Sequence, residues 1–448
     1  MRFSRCVAAA FLLAASASPG SAQFSPEERA ARQGATQKDY RETLHRLGLG
    51  PLRPGVDGLH ADAQNAVNYD ESKVGPIVLP PLLRMQDGRP VRTAADWKSK
   101  RRPELVELFD REVFGRVPRS APSIHWDLAG TEQRSKAGLE VETRHYRGHS
   151  TADPKLEIQL DVTLPKGGRR KVPLVLELGF PEGFRFPGFN PQSSSGPDWT
   201  DEVILRGWGY AILVPYTVQG DDGAGLSQGV IGIAAKGRPR ANDEWGALRA
   251  WAWGAGRAFD LFERDPRIDE GRIAIEGLSR YGKAALVTMA YDPRFSIGFI
   301  GSSGAGGAKL LRRNFGEQIE NLAASGEYHW FAPNFLKYAG PMTVNDLPVD
   351  AHELIALVAP RPLFISAGTS ENGDGWVDPR GSFEAARAAS PAYRLLGARG
   401  LKGEDYPQVG ELRDGGRIAF RQHPDGHSNA LNWPAFLRFA ERQWGLSR

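Results

Sequence analysis

The stretch Gly277-Leu278-Ser279-Arg280-Tyr281-Gly282-Lys283 constrains this chain more than any other. Ahead of it, Arg272-Ile273-Ala274-Ile275-Glu276 is a short β-branched run that reads as a buried strand. Behind it, Ala284 to Ala290 is apolar and rich in helix formers. A serine between glycines where a strand passes into a helix stands exposed on a tight turn, the position of a nucleophile. The spacing here is G-x-S-x-x-G and not the common G-x-S-x-G, because Tyr281 occupies the place of the second glycine.

The surrounding pattern puts this turn in a sheet. Val172 to Leu178 and Tyr210 to Val214 are near-continuous apolar runs, as strands covered on both faces require. Phe295 to Ile300, Leu363 to Ala367 and Arg417 to Gln422 read as further strands. Helical segments separate them, including Val349 to Leu357 and Phe383 to Ala389, and Trp433 to Trp444 closes the chain. Between Asp243 and Phe262, the residues Trp245, Leu248, Trp251, Ala252 and Phe259 form the apolar stripe of a long helix. Such alternation implies an α/β fold with a mostly parallel sheet and helices on both faces. Ile124 to Trp126, Glu140 to Tyr146 and Leu156 to Leu164 alternate and predict an antiparallel edge. Arg102 to Phe114, with Pro103 in its first turn, is helical in period. Ligands of such sheets bind beyond the carboxyl ends of the strands, where the serine turn and the loops after Ile300, Ala367 and Gln422 all fall.

The N-terminus reads differently. Arg2 and Arg5 precede the apolar run Val7 to Ala17, and Gly20-Ser21-Ala22 offers small residues for cleavage, so residues 1–22 are expected to be a secretory signal peptide. The run is too short for a stable membrane anchor. Residues 23–90, polar at first and then rich in proline and glycine, are expected to form an extension packed on a main domain spanning 91–448. The one cysteine, Cys6, lies inside the signal, so the mature chain would carry no disulfide, thiol nucleophile or cysteine metal ligand. Losing the two signal arginines takes the formal charge from +4 to +2 (55 basic against 53 acidic residues), which gives no reason to invoke nucleic acid. A secreted or periplasmic monomer without a membrane anchor is the expectation.

A serine hydroxyl needs a base to take its proton and an acid to orient that base. His427, in His423-Pro424-Asp425-Gly426-His427-Ser428, follows the last strand, where a sheet hydrolase with chain order serine, acid, histidine keeps its base. The bland reading is a surface-loop histidine. His423 and His427 also form an H-x-x-x-H pair, but no third zinc ligand stands nearby and no metal is expected. The acid is open. The loop after Ala367 carries Glu371, Asp374 and Asp378; Asp378 before Pro379 looks like a helix cap, which leaves Asp374 and Glu371. Asp222-Gly223-Ala224-Gly225 resembles a phosphate loop only superficially and lacks the lysine-serine pair. The aromatic run Tyr328-His329-Trp330-Phe331 is expected to pack an insertion.

Several segments in order resemble the glucuronoyl esterases, carbohydrate esterase family 15. They are Gly277 to Leu286 with Asp292-Pro293-Arg294-Phe295, Ser303-Gly304-Ala305-Gly306-Gly307, Gly316-Glu317, Leu347-Pro348-Val349-Asp350, Ala359-Pro360-Arg361-Pro362, Trp376-Val377-Asp378-Pro379, Gly426-His427 and Trp433 to Phe439. The resemblance runs from about Arg102 to the C-terminus. It implies an α/β-hydrolase three-layer sandwich that hydrolyses esters between (4-O-methyl-)glucuronic acid on xylan and lignin alcohols, without a cofactor. It also implies Ser279 as nucleophile, His427 as base, Arg280 at the oxyanion, and Lys283, Glu317 and Trp376 at the sugar. An acetyl-xylan esterase of the same fold and a non-catalytic carbohydrate-binding relative are the alternatives. One departure bears on the acid: Ser302 stands where many members carry the triad glutamate. Some relatives place the acid two residues before the tryptophan instead, which is Asp374 here.

Overall fold

The computed structural model describes residues 25–167, 170–184 and 198–446; the expected signal peptide, residues 1–22, lies outside them. In chain order the main elements are α1 (Pro26–Arg46), α2 (Arg102–Glu112), β1 (His125–Lys136), β2 (Leu139–Ser150), β3 (Asp153–Pro165), β4 (Val172–Leu178), α3 (Trp199–Leu205) and β5 (Gly209–Leu213). They continue with α4 (Ala247–Phe262), β6 (Ile268–Leu278), α5 (Arg280–Tyr291), β7 (Ile297–Gly301), α6 (Ala351–Val358), β8 (Leu363–Ala367), α7 (Pro379–Leu395), β9 (Leu412–Arg413), β10 (Ile418–Gln422) and α8 (Trp433–Gln443).

The strands form one ten-stranded sheet in the order β1-β2-β3-β5-β4-β6-β7-β8-β10-β9. From β5 to β10 it is parallel; β1, β2 and β3 at one edge and β9 at the other are antiparallel. The parallel strands are Val-, Ile-, Leu- and Phe-rich because helices cover both faces. Leu248, Leu286, Leu354 and Phe383, from α4 to α7, belong to the core on one face. Ile204 of α3 and Trp433 and Phe436 of α8 pack on the other, where the Phe299 and Phe436 rings stack at 4.8 Å. This is the three-layer α/β-hydrolase sandwich.

Differences from the sequence expectation have local causes. β1 runs for 12 residues, far beyond Ile124–Trp126, and most of it is exposed, so pairing with β2 and not apolar alternation defines it. β9, of two residues, and α3 carry no periodic signal long enough to read. The long helix starts at Ala247, so Trp245 lies ahead of it. α7 extends through Pro391, where packing of the buried Ala389, Ala392 and Tyr393 outweighs the missing backbone donor. Within residues 25–90, several contacts reach the rest of the chain. Ser25 and Glu28 form a capping box on α1, Tyr40 meets Tyr328 at 4.9 Å between ring centres, and Arg53 pairs with Glu320 at 2.9 Å.

The register sets the site. Leu278 pairs with Gly301, Gly301 with Ser366, and Ala367 with Gln422, so the residues that follow emerge side by side at one sheet edge. The glycine spacing of the serine turn has a physical cause here. A Cβ on Gly282 would lie 2.6 Å from the Gly301 carbonyl oxygen and 2.9 Å from that of Gly277. The first turn of α5 therefore touches the end of β7 through position 282, not 281. Gly282→Ala is expected to cost about 1–3 kcal/mol by overpacking. A lower urea midpoint at unchanged m would show it, and an unchanged midpoint would refute it.

Candidate active site

Ser279 sits between β6 and α5 with φ 61° and ψ −129°, a conformation costly for any residue but glycine. Its N–H donates to the Gly301 carbonyl at 2.9 Å, and its own carbonyl accepts from Lys283 N–H at 3.0 Å. The strained turn is thus held at both ends, with the hydroxyl at the N-terminus of α5.

His427 reaches the same edge from the loop after β10. Its Nδ1 lies 2.7 Å from Asp374 Oδ1. The other Asp374 oxygen accepts from Ser302 Oγ at 2.6 Å and from Gly368 N–H at 2.5 Å. Burial alone would raise the pKa of this fully buried carboxyl, but His427, Ser302 and the Gly368 N–H outweigh it and hold the group below the usual carboxylate value. Glu371, the rival candidate, is exposed to solvent. Asp378 caps α7, accepting from Gly381 N–H at 2.9 Å and pairing with Arg313 at 2.8 Å. Ser302 therefore has a part in the site although it cannot be the acid: it donates to the carboxylate that meets the histidine.

The histidine loop is also anchored from below. Asn429 overlies Gly301, and its Nδ2 donates to Glu276 Oε1. Glu276 faces Glu177 in register across β6 and β4. Burial and the Glu177 carboxyl push the pKa of Glu276 upward, and burial with Asp198 and Glu182 pushes that of Glu177 to about 8. The hydrogen bond from Asn429 to Glu276 thus ties the His427 loop to the strand that ends in Ser279.

Arg280, at the first position of α5, is buried. Its Nη1 donates to Asp221 Oδ2 at 2.5 Å. Asp221 Oδ1 also receives Trp330 Nε1 at 2.7 Å and His329 Nε2 at 3.0 Å. Burial opposes the Asp221 charge, yet Arg280 and His329 prevail and its pKa falls to about 2. The Trp330 ring lies 5.3 Å from the Arg280 guanidinium and 5.5 Å from Lys283 Nζ. The aromatic run thus does more than pack an insertion, since His329 and Trp330 support the cations of the site.

Lys283 Nζ is buried and donates to Glu317 Oε2 at 2.8 Å and to the Ala305 carbonyl at 2.6 Å. The same Glu317 oxygen accepts from Ala305 N–H at 2.8 Å. Glu317 N–H donates to the Trp376 carbonyl at 2.8 Å, so the loops carrying Glu317 and half-buried Trp376 are joined. Buried Lys309 braces the first of them through the carbonyls of Arg313 and Glu317. Ser279, His427 and Asp374 thus gather at the strand ends, and Arg280, Lys283, Glu317 and Trp376 on the turns around them.

Two members went unread in the sequence. Asp221 lies 59 positions from Arg280 with nothing local to mark it. Glu327 is half-buried beside the same cations. Burial and the Glu317 carboxylate push its pKa up to about 8, against Lys283 and Arg280, and its Oε2 has no hydrogen-bond partner among the described residues. Asp222 is a turn cap, not a phosphate loop: it accepts from Gly225 N–H at 2.7 Å and pairs with Arg32 at 2.7 Å. Among the described residues no group of three or more His, Cys, Asp or Glu is arranged to hold a metal ion. Nor is any described helix long and apolar enough to cross a membrane.

The comparisons with known proteins agree among themselves. A family model described as "Glucuronyl esterase, fungi" matches residues 240–397. Carbohydrate esterase MZ0003, from an unknown prokaryotic organism, is 31% identical over 84% of this chain and 91% of its own. The 4-O-methyl-glucuronoyl methylesterase of Hypocrea jecorina is 28% identical over 73% of this chain, which spans 64% of that protein. The solved structure of a CE15 glucuronoyl esterase from Teredinibacter turnerae superposes with a TM-score of 0.85 at 44% identity, covering 91% of this chain and all of the other.

The depressed Asp374 carboxyl has a consequence for stability. Its ionised form stabilises the fold above the ordinary carboxylate value near pH 4, and that contribution is lost as the pH falls through the lowered folded-state value. Removing the Ser302 donor should raise the folded-state value. Ser302→Ala is therefore expected to cost about 1.5–3 kcal/mol at pH 7, with a smaller deficit at pH 3. Urea melts at both pH values test this, and a deficit independent of pH would remove Ser302 from the carboxylate.

Proposed function

The chain belongs to the glucuronoyl esterases of carbohydrate esterase family 15, and on that premise we propose that it hydrolyses esters of glucuronic or 4-O-methylglucuronic acid, as in lignin–glucuronoxylan linkages, through Ser279, His427 and Asp374. The observation that carries this reading is the 2.7 Å contact between His427 Nδ1 and the buried Asp374, beside a serine held on a strained strand-to-helix turn. An ionised carboxylate only accepts hydrogen bonds, so the imidazole donates from Nδ1 and presents Nε2 as the proton acceptor.

Ser279 Oγ attacks the uronate carbonyl carbon while His427 takes the hydroxyl proton. The carbonyl oxygen becomes an oxyanion facing the Arg280 N–H at the start of α5, with the helix dipole in the same sense and the guanidinium close by. Asp221 holds that guanidinium at 2.5 Å and keeps it in one orientation before charge develops. The tetrahedral intermediate collapses, the C–O bond to the alcohol breaks, and His427 returns the proton to the leaving oxygen. Water then attacks the acyl-enzyme and gives a proton to His427; the C–O bond to Ser279 breaks, His427 returns the proton to Ser279 Oγ, and the uronic acid leaves.

Lys283, Glu317 and Trp376 supply a polar grip and an aromatic surface for the pyranose, and Glu327 adds a second carboxyl beside them. No step calls for a cofactor. The basic and apolar N-terminal run supports export to the compartment where a polymeric substrate is met. Acetyl-xylan hydrolysis is the competing reading, but relatives at 44% and 28% identity are named for glucuronoyl esters and favour the uronate.

Benzyl and methyl glucuronate are expected to be cleaved well and an acetylated sugar poorly, with Ser279→Ala abolishing turnover. Failure of folded wild type to cleave either uronate ester would sink the proposal. Asp374→Asn should lower kcat by a factor on the order of 10⁴ and Glu371→Gln by little. The reverse ranking would transfer the acid to Glu371.

A further inference from the structure

A cavity of about 130 Å³ lies outside the site already described, at the far end of the serine helix. It opens between α4 and α5 and is lined by Arg249, Trp253 and Arg257 of the first and by Thr288, Tyr291 and Asp292 at the end of the second. Tyr291 follows Ser279 by 12 positions, which the helical rise turns into about 18 Å along α5. Arg249 lays its guanidinium on the Tyr291 ring, 3.8 Å from the ring centre, and makes no hydrogen bond or ion pair with any described residue. Arg257 stands 5.4 Å from the Trp253 ring and 3.2 Å from Asp260 Oδ2. The Nε atoms of both arginines are buried without a hydrogen-bond partner among the described residues. A guanidinium carries five N–H donors, and buried donors are normally satisfied. Two such groups therefore line one cavity with donors to spare.

The other polar groups of the cavity are already committed. Tyr291 Oη donates to Asp110 at 2.8 Å, and Thr288 Oγ1 donates to the Ala284 carbonyl at 2.8 Å. Asp292 is answered by Arg294, whose Nη2 meets Oδ2 at 2.7 Å and whose Nε and N–H meet Oδ1 at 3.0 and 3.1 Å. The carbonyls that end α5 are taken as well, Ala290 by Arg102 at 2.9 Å and Met289 by Arg361. What remains is cationic N–H, so the fitting occupant accepts hydrogen bonds and carries negative charge. Size narrows it further. The volume holds about four waters at ~30 Å³ each, room for an ion such as acetate or phosphate and too little for a polysaccharide.

We propose that this cavity binds a small oxyanion, a carboxylate or a phosphate, between the guanidiniums of Arg249 and Arg257. The planar fork of an arginine matches the paired oxygens of either group, and the Tyr291 ring backs the Arg249 fork. The site is independent of the ester chemistry at Ser279.

Isothermal titration of the full chain at pH 7 with sodium acetate, with sodium phosphate and, as control, with sodium chloride tests this. Acetate or phosphate is expected to bind one site per chain with a Kd of about 1 mM or tighter, and chloride is not. Arg249→Met and Arg257→Met, which keep an apolar stem without the guanidinium, should each weaken that binding roughly tenfold or more. Lys283→Met, in the catalytic site, should leave it unchanged. Binding of acetate alone assigns the site to organic acids, of phosphate alone to phosphoryl groups, and of both to oxyanion charge as such. Wild type that binds neither anion saturably overturns the proposal. So does binding that survives both arginine substitutions, or binding lost in Lys283→Met, which would put the ion beside Ser279 instead.

Discussion

One buried carboxylate joins the parts of this site. Asp374 takes hydrogen bonds from Gly368 at the end of β8, from Ser302 at the end of β7 and from His427 after β10. Three separate strand ends thus converge on one charge that is 0% exposed. An ionised group so far from water persists only when its lone pairs are occupied, and each donor here comes from a different loop. The loops are consequently not independent: displacing any of them leaves a charge short of a partner. Ser302 makes the point most clearly. In place of an acid it supplies a hydroxyl, and the negative charge facing the histidine comes from the neighbouring strand.

The cationic side of the site is organised by the same rule. Arg280 is buried against Asp221, which His329 and Trp330 also hold, while Lys283 is buried against Glu317. Each cation is matched by a carboxylate that is itself tied to backbone or aromatic donors. This side of the site is therefore buried, charged and nearly balanced, a setting in which fixed charges act on one another more strongly than they would in water. The Glu177 and Glu276 pair shows the opposite solution. These two carboxyls, in register, pair with no cation among the described residues; burial raises the pKa of both, and Asn429 bonds Glu276 to hold the histidine loop.

The extension before the main domain completes this architecture. Helix α1 and the irregular chain after it lie on the insertion between β7 and α6, meeting Glu320 and Tyr328, and on the segment after β5, meeting Asp222, while Asn68 to Glu71 reach the loops of Glu317 and Trp376. These contacts span more than 150 positions in sequence. A segment with little apolar periodicity of its own is ordered by ion pairs and backbone hydrogen bonds to the main body.

By itself, the sequence determined what is local. Val172 to Leu178 and Leu363 to Ala367 are apolar apart from Glu177 and Ser366 and form strands with those boundaries, because a strand covered on both faces needs no other signal. The serine turn was legible because its strand, glycines and helix are contiguous, and Asp378 before Pro379 was legible as a cap for the same reason. What crosses the chain was not. Asp374 and Glu371 are three residues apart in one loop and nearly equivalent as chemistry. Only the packing of that loop buries the first against His427 and leaves the second exposed. Asp221 and Glu327 carry no motif at all. Each acquires its place through partners that the register of the sheet and the path of the insertion bring near, and those are properties of the tertiary structure alone.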